Sequence, residues 1–218
     1  MQESDSSALE DAVASVRRVI SHLRKTKAPA DLLREAERQL LEISARLEAF
    51  DHPGPYAQGA LDIGEGSFGP NVDDPGAFFP YSPVIGARNP IAPQIEFQVR
   101  DGELHAEHRF DAPWCGPPTA VHGGVIALVF DELLGCTNVV NQVGGFTGTL
   151  QVRYRALTPL GEPIRMRGWI DRRDGRKTFT KGTMHSGDAL CAEAEGIFIA
   201  PDARSIERMG IVRESRKR

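Results

Sequence analysis

The sequence predicts an α+β domain in which an antiparallel sheet holds one long central helix. Three observations predict it. Apolar and polar residues alternate in short stretches from about residue 93 to 200, in the order two strands, one helix, four strands. The helical stretch, Val125 to Val140, is apolar around nearly its whole circumference. Asp101-Gly102, Gly175 and Gly187 stand at connections between strands, where tight hairpins need such residues.

Composition narrows the class. The 218 residues suffice for one ordinary domain plus an appendage. With 40% hydrophobic and 26% charged residues the chain has an ordinary globular composition. Lys and Arg number 26 against 30 Asp and Glu, a net charge of −4, which argues against nucleic-acid binding as the main task. Cys115, Cys136 and Cys191 are scattered, form no C-x-x-C and have no zinc spacing. The expectation is a reduced, cytoplasmic chain without a metal. The opening "MQESDSSALEDAV" is too polar for a signal peptide. No apolar run of about 18 residues suited to spanning a bilayer is expected.

Residues 1–50 predict an N-terminal helical hairpin. Val13, Val16, Val19, Ile20 and Leu23 recur at helical spacing. "KAPAD" interrupts them, since Pro29 fits a helix start and not a helix middle. Leu32, Leu33, Ala36, Leu40, Ile43 and Leu47 then mark a second helix. The hairpin is expected to pack on the domain or on a partner subunit. Its mixed-sign polar face argues against a membrane surface.

Residues 51–92 hold seven Pro and seven Gly, a density that excludes regular structure. Tyr56, Phe68, Phe78, Phe79 and Tyr81 nevertheless predict an ordered wrapping segment, because such side chains bury themselves. Within the domain at 93–200, "QIEFQVRD" and "ELHAEHRF" read as the first two strands. "TGTLQVRYRAL", "PIRMRGWIDRRD", "RKTFTKGTMHS" and "ALCAEAEGIFIA" read as the last four. Residues 201–218 read as a basic, solvated tail.

The chemistry concentrates in "AVHGGVIALVFDELLGC", residues 120–136. Val125, Ile126, Leu128, Val129, Leu133, Leu134, Val139 and Val140 predict a helix buried on all sides. A buried carboxylate without a partner is expensive, so Asp131 and Glu132 need explaining. At about 100° per residue they cannot share a direction. Asp131 follows Gly124 by seven residues, close to two turns, so these two share a side. That side is expected to offer a free Gly124 N–H at the helix start and a carboxylate below it. Gly124 lets a ligand approach closely, and the helix N-terminus favours developing negative charge. An N–H aimed at an oxyanion plus a carboxylate is equipment for acyl transfer to water. Glu132 reads as a solvated or interface residue.

These residues resemble a known family. "HGGVIALVFDELLG" is similar to the H-G-G-x-x-x-x-x-x-D helix of hotdog-fold acyl-CoA thioesterases of the phenylacetate-degradation type. "GPPTAVHGG" resembles the same segment in mammalian thioesterase-superfamily members that carry an N-terminal extension, and "SPVIGARNPIAP" is similar to what precedes the first strand in relatives. The resemblance covers about residues 80–200. It implies a hotdog fold and hydrolysis of acyl-CoA to a carboxylic acid and coenzyme A. It implies Asp131 as the base or nucleophile, Gly124 with Gly123 as oxyanion donor, and His122 as holder of the thioester carbonyl. Thr147 would position the water or the carboxylate, with Thr149, two residues on and on the same strand face, as fallback. The family's site lies between subunits, which implies a homodimer or a dimer of dimers and lets Asp131 and Gly124 act from different chains. Many small members carry Asn or Gln where Gly116 stands here.

Coenzyme A is a polyanion and belongs to the substrate; no separate cofactor is expected. "DRRDGRKTFTKG" supplies a local basic site, and the resemblance favours Gly175, Arg176 and Lys177 as contacts. Arg153 and Arg155 either reach phosphate or simply face outward. Phe130, Leu134, Trp114 and Phe146 are candidates for the acyl pocket or for plain core. Two other functions stay open: a non-catalytic acyl-CoA-binding scaffold and a hotdog dehydratase or hydratase. No G-x-S-x-G supports a serine hydrolase.

Overall fold

The computed structural model describes residues 3–51 and 72–202. Six strands form one antiparallel sheet: β1 (Gln98–Arg100), β2 (Glu103–His108), β3 (Phe146–Tyr154), β4 (Ile164–Asp174), β5 (Lys177–Ser186) and β6 (Ala189–Ile199). Their spatial order is β1-β2-β4-β5-β6-β3, so β1 and β3 are the edges. The β1–β2 hairpin turns at Asp101 and Gly102, whose φ angles of 52° and 76° define a two-residue loop matched to strand twist. β1 is shorter than "QIEFQVRD" predicts. Gln94 has a φ of 59° and the Ile95 N–H donates to Val84 O at 3.2 Å, so this stretch serves the preceding loop instead of the ladder.

The central helix, α4 (Gly123–Val140), lies across the sheet. Phe130, Leu133 and Leu134 are fully buried against it. The sheet meets them with glycines. A Cβ on Gly168 would come within 2.7 Å of Thr137 Oγ1 and 3.0 Å of Leu133, and one on Gly182 within 3.1 Å of Leu134. Glycine at those positions therefore lets the helix sit close to the sheet; a side chain there would press on Thr137, Leu133 and Leu134.

Two expectations about α4 need correcting. Its 18 residues, with mean hydropathy 1.5, are long and apolar enough by length and composition to cross a membrane, although no such run was expected. In the structure that apolarity is spent on the sheet, with Ile126, Val129 and Cys136 also buried. Nor is α4 buried on all sides. Sheet and wrapping segment leave a stripe through Gly124 and Leu128 open, and Leu128 is 39% exposed.

The wrapping segment before β1 is ordered where it is described. Phe79 packs on the core and meets Phe78 edge-on at 4.6 Å, while Val84, Ile85 and Ile95 join the core itself. One turn of helix, α3 (Pro75–Phe78), forms in a segment that was to lack regular structure; the Asp74 carboxylate caps it by accepting from Ala77 N at 3.1 Å. Tyr56, Phe68 and the tail from 203 onward lie outside the described residues.

The N-terminal arm contains both predicted helices, α1 (Glu3–Lys25) and α2 (Ala30–Glu48). Pro29 stands at the N-cap of α2, as its fixed φ favours. α1 docks through Val13. Arg17 donates to Gly86 O at 2.8 Å and to Asn89 O at 2.8 Å, and Lys25 pairs with Asp111 at 2.7 Å. α2 buries no residue at all. Within the described protomer, then, only half of the arm packs on the domain.

One core position conflicts with its surroundings. Asn138 is 1% exposed, and neither polar atom of its side chain has a hydrogen-bond partner among the described residues. Asn138→Leu, nearly isosteric, is expected to stabilise the fold by about 1–3 kcal/mol, because it removes the desolvation cost of an unpaired amide. Chemical denaturation midpoints of the two proteins check this.

Candidate active site

Asp131 projects from the open side of α4 toward edge strand β3. The Thr147 hydroxyl donates to Asp131 Oδ1 at 2.8 Å. At the other end of β3 the Tyr154 hydroxyl donates to Gly123 O at 2.8 Å. Two side chains of one strand thus hold the carboxylate and the start of the helix.

Thr147 reaches Asp131 because of an irregularity. Thr147 pairs with Phe198 and Thr149 with Ile197, so Gly148 is the extra residue of a β-bulge. Neighbours on β6 point to opposite faces, and therefore so do Thr147 and Thr149. Thr149 was expected on the same face as Thr147; the bulge overturns that. It lines a cleft of about 150 Å³ on the outer face of the sheet with Gln151, Asp171 and Lys181, away from Asp131.

His122 is the N-cap of α4. Its backbone N–H donates to Trp114 O at 2.9 Å, tying it to the 3-10 turn Ala112–Trp114. Its Nδ1 accepts from Gly124 N at 3.0 Å. The Gly124 N–H is therefore capped, not free as expected, because an orphan N–H at a helix start takes any acceptor within reach. With Nδ1 accepting, the neutral ring carries its proton on Nε2. Gly116 lies against this residue: a Cβ there would stand 2.7 Å from His122 Cα. An Asn or Gln at 116 would push His122 aside, which gives a physical reason for the departure at that position.

Gly124 and Asp131 share a side of α4, but seven residues separate them by about 10 Å along the axis. That is too far for one reacting carbonyl to touch both groups of the same helix.

Glu132, expected to be solvated or at an interface, is half-buried within the protomer. Burial and the neighbouring Asp131 raise its pKa, and hydrogen bonding from Ser82 partly opposes them. Cys136, one turn on, is buried and also bonds to Glu132, at 3.9 Å. Tyr154 and Ser82 escaped the sequence reading. Their only signals were one aromatic at the end of a strand and one hydroxyl in a Pro-rich stretch.

Gly175 turns the β4–β5 hairpin with a φ of 54°. Lys177, which opens β5, stands opposite Ile199, and Ile199 stands opposite Phe146, the neighbour of Thr147. The basic turn and the Asp131–Thr147 pair thus occupy the same end of the sheet. Arg176 spends its guanidinium on Ala200 O and Asp202, both at 3.0 Å. Arg153 and Arg155 pair with Glu195 and Glu193 at 2.9 and 2.5 Å. Phe130 and Leu134 are core, while Trp114 is half-buried and Phe146 is 47% exposed.

A long helix seated on a six-stranded antiparallel sheet, with its carboxylate held by an edge-strand hydroxyl, defines a hotdog-fold protein. A solved thioesterase superfamily protein is similar to the chain over 88% of its length and 90% of that protein's own, with 34% identity and a TM-score of 0.73. The chain belongs to the thioesterase superfamily. Among curated proteins, an acyl-coenzyme A thioesterase THEM4 of Xenopus laevis is 36% identical over 86 residues, and a human acyl-coenzyme A thioesterase THEM5 is 30% identical over 86 residues. The matched segment is 38% of this chain in both cases and spans only 39% and 35% of those two proteins. No family model matches the chain.

The buried Glu132 carboxyl generates a prediction. A carboxyl with a raised folded pKa contributes its full stability below the unfolded value and loses it as pH rises through the folded one. Glu132→Gln should therefore raise Tm by a few degrees at pH 7.5 and confer no gain near pH 4. Thermal melts of both proteins at the two pH values check it.

Proposed function

We propose that the protein hydrolyses acyl-CoA thioesters to a carboxylic acid and coenzyme A, using Asp131. The observation that carries this reading is the Thr147–Asp131 hydrogen bond on the open side of an otherwise apolar helix. It holds Oδ1 and leaves Oδ2 to act. As a base, Oδ2 takes a proton from water while the water oxygen attacks the thioester carbon. As a nucleophile, it attacks that carbon itself and forms an acyl anhydride that water then opens. In both routes the carbonyl oxygen gains negative charge. On the base route the proton taken by Asp131 passes to the departing sulfur. On the nucleophile route coenzyme A leaves as the thiolate and takes a proton from solvent, and water then opens the anhydride to the free acid.

The oxyanion donor is the Gly124 N–H at the positive end of α4, once the His122 ring turns its Nδ1 away. The axial separation of about 10 Å favours a site made by two subunits, where Asp131 of one works with the partner's Gly124. β3 supports this assembly. It is a nine-residue edge strand with exposed Phe146 and Tyr154, and an unpaired edge of that length is a template for a second copy. We read a homodimer, or a dimer of dimers, on this basis. Gly175, Arg176 and Lys177, at the Asp131 end of the sheet, would meet the phosphates of coenzyme A, with Arg176 exchanging Asp202 for phosphate. Cys115, Cys136 and Cys191 are all free thiols, which suits a reducing compartment such as the cytoplasm.

Thiol release from acetyl-, long-chain, phenylacetyl- and hydroxybenzoyl-CoA tests the proposal. Asp131→Asn should lower turnover at least about a hundredfold while acyl-CoA binding persists. Thr147→Val should lower it about tenfold, the worth of one hydrogen bond. Turnover left intact in Asp131→Asn would sink the assignment. Binding of acyl-CoA with no turnover of any of them would favour the scaffold reading.

A further inference from the structure

The arm carries far more apolar surface than the domain uses. Along α2, Leu33, Ala36, Leu40, Ile43 and Leu47 fall at alternating spacings of three and four, the a and d positions of a heptad. Leu33, Leu40, Ile43 and Leu47 are all exposed, as is Phe50 just beyond the helix. α1 repeats the pattern on the side turned away from its docking face, with Ala12, Val16, Val19 and Leu23. Between the helices lies an open groove lined by Val16, Leu40, Ile43 and Leu47. Two helices with apolar seams and no described residue between them are half of a helical bundle.

We infer that the arm is an assembly device: the α1–α2 unit of one protomer packs against the same unit of a second copy of this chain. Area favours a whole arm over a single helix as the occupant. The 19 residues of α2 give a face about 28 Å long. Two helices side by side are about 20 Å wide, so two arms bury roughly 1,100 Å² in total, at the threshold of a specific interface. One helix alone would supply about half of that.

Sequence favours self-pairing, and antiparallel over parallel. A parallel pair would set Ala36 against the partner's Ala36 and leave a gap. An antiparallel pair sets Ala36 against the partner's Leu47 and Leu40 against the partner's Ile43, small against large. The flanks then place Gln39 beside the partner's Arg46 and Glu37 beside the partner's Ser44, with no like charges opposed. The arm is also part of the shared architecture. The similarity to the solved thioesterase superfamily protein covers 88% of the chain, whereas residues 72–202 are 131 of 218. The inference does not rest on thioester hydrolysis.

Cross-linking tests it in the full-length protein. Cys136 and Cys191 are buried, so a Cys115→Ser background leaves no accessible native thiol among the described residues. Single cysteines are placed in the seam, Ile43→Cys or Leu40→Cys, and on the opposite side of α2, Arg38→Cys. α2 buries no residue in the protomer, so these changes spare the domain; an unchanged far-UV circular dichroism spectrum verifies that. A short bismaleimide at micromolar protein should yield covalent dimer from both seam variants, at least tenfold faster than from Arg38→Cys. Seam variants that stay single, or that link no faster than Arg38→Cys, would overturn the proposal and assign the seam to another occupant.

Discussion

The close seating of α4 on the sheet constrains everything else in the molecule. Phe130, Leu133 and Leu134 are fully buried, and Gly168 and Gly182 present bare backbone beneath them, where a Cβ would press within 3.0–3.3 Å of these side chains. Burying three such side chains contributes roughly 5–9 kcal/mol. That margin lets the helix carry groups that work against it, among them the desolvated Glu132 and the unpaired Asn138. It also fixes where the functional side of the helix points. With one side locked to the sheet and another under the wrapping segment, the stripe through Gly124, Leu128 and Asp131 has a single direction left, toward edge strand β3.

β3 converts that direction into a site. An edge strand has one free flank, so side chains near it can serve the helix on one side and a second molecule on the other. Thr147 and Tyr154 do the first. The bulge at Gly148 makes the arrangement possible: without the extra residue, strand alternation would give Thr147 and Thr149 the same face. Capping of Gly124 by His122 fits the same logic. A helix N-terminus leaves an orphan N–H, and the His122 imidazole nitrogen two residues away accepts from it, as a side-chain N-cap does.

Much of this was legible in the sequence, for identifiable reasons. The order of strands and helix, the hairpin turns at Asp101-Gly102, Gly175 and Gly187, and the pairing of helix with sheet all follow from local periodicity and glycine placement. The Asp131–Thr147 contact was reached through resemblance, and the structure brings those two side chains together. Elsewhere the reading failed where a tertiary contact overrides a local rule. Thr149 was misplaced because a bulge shifts register without changing composition. Glu132 was read as a solvated or interface residue, without its cover from Ser82, because Ser82 comes from a segment fifty residues away. The N–H of Gly124 was read as free because a cap by the preceding His depends on one rotamer.

The arm shows the opposite limit, in that its helices are fully legible and their purpose is not. An amphipathic period reports that a face must be covered, and says nothing of what covers it. For α1 the domain itself answers, through Val13, Arg17 and Lys25. For α2 nothing among the described residues does, and an isolated helix of 19 residues draws little stability from propensity alone. An apolar seam sustained over the length of such a helix therefore calls for a cover beyond the described residues of the domain. The domain's own free edge, β3, leaves a second surface open. A strand edge and a helical seam left open on one chain are the kinds of surface that the proposed two-fold assembly would use.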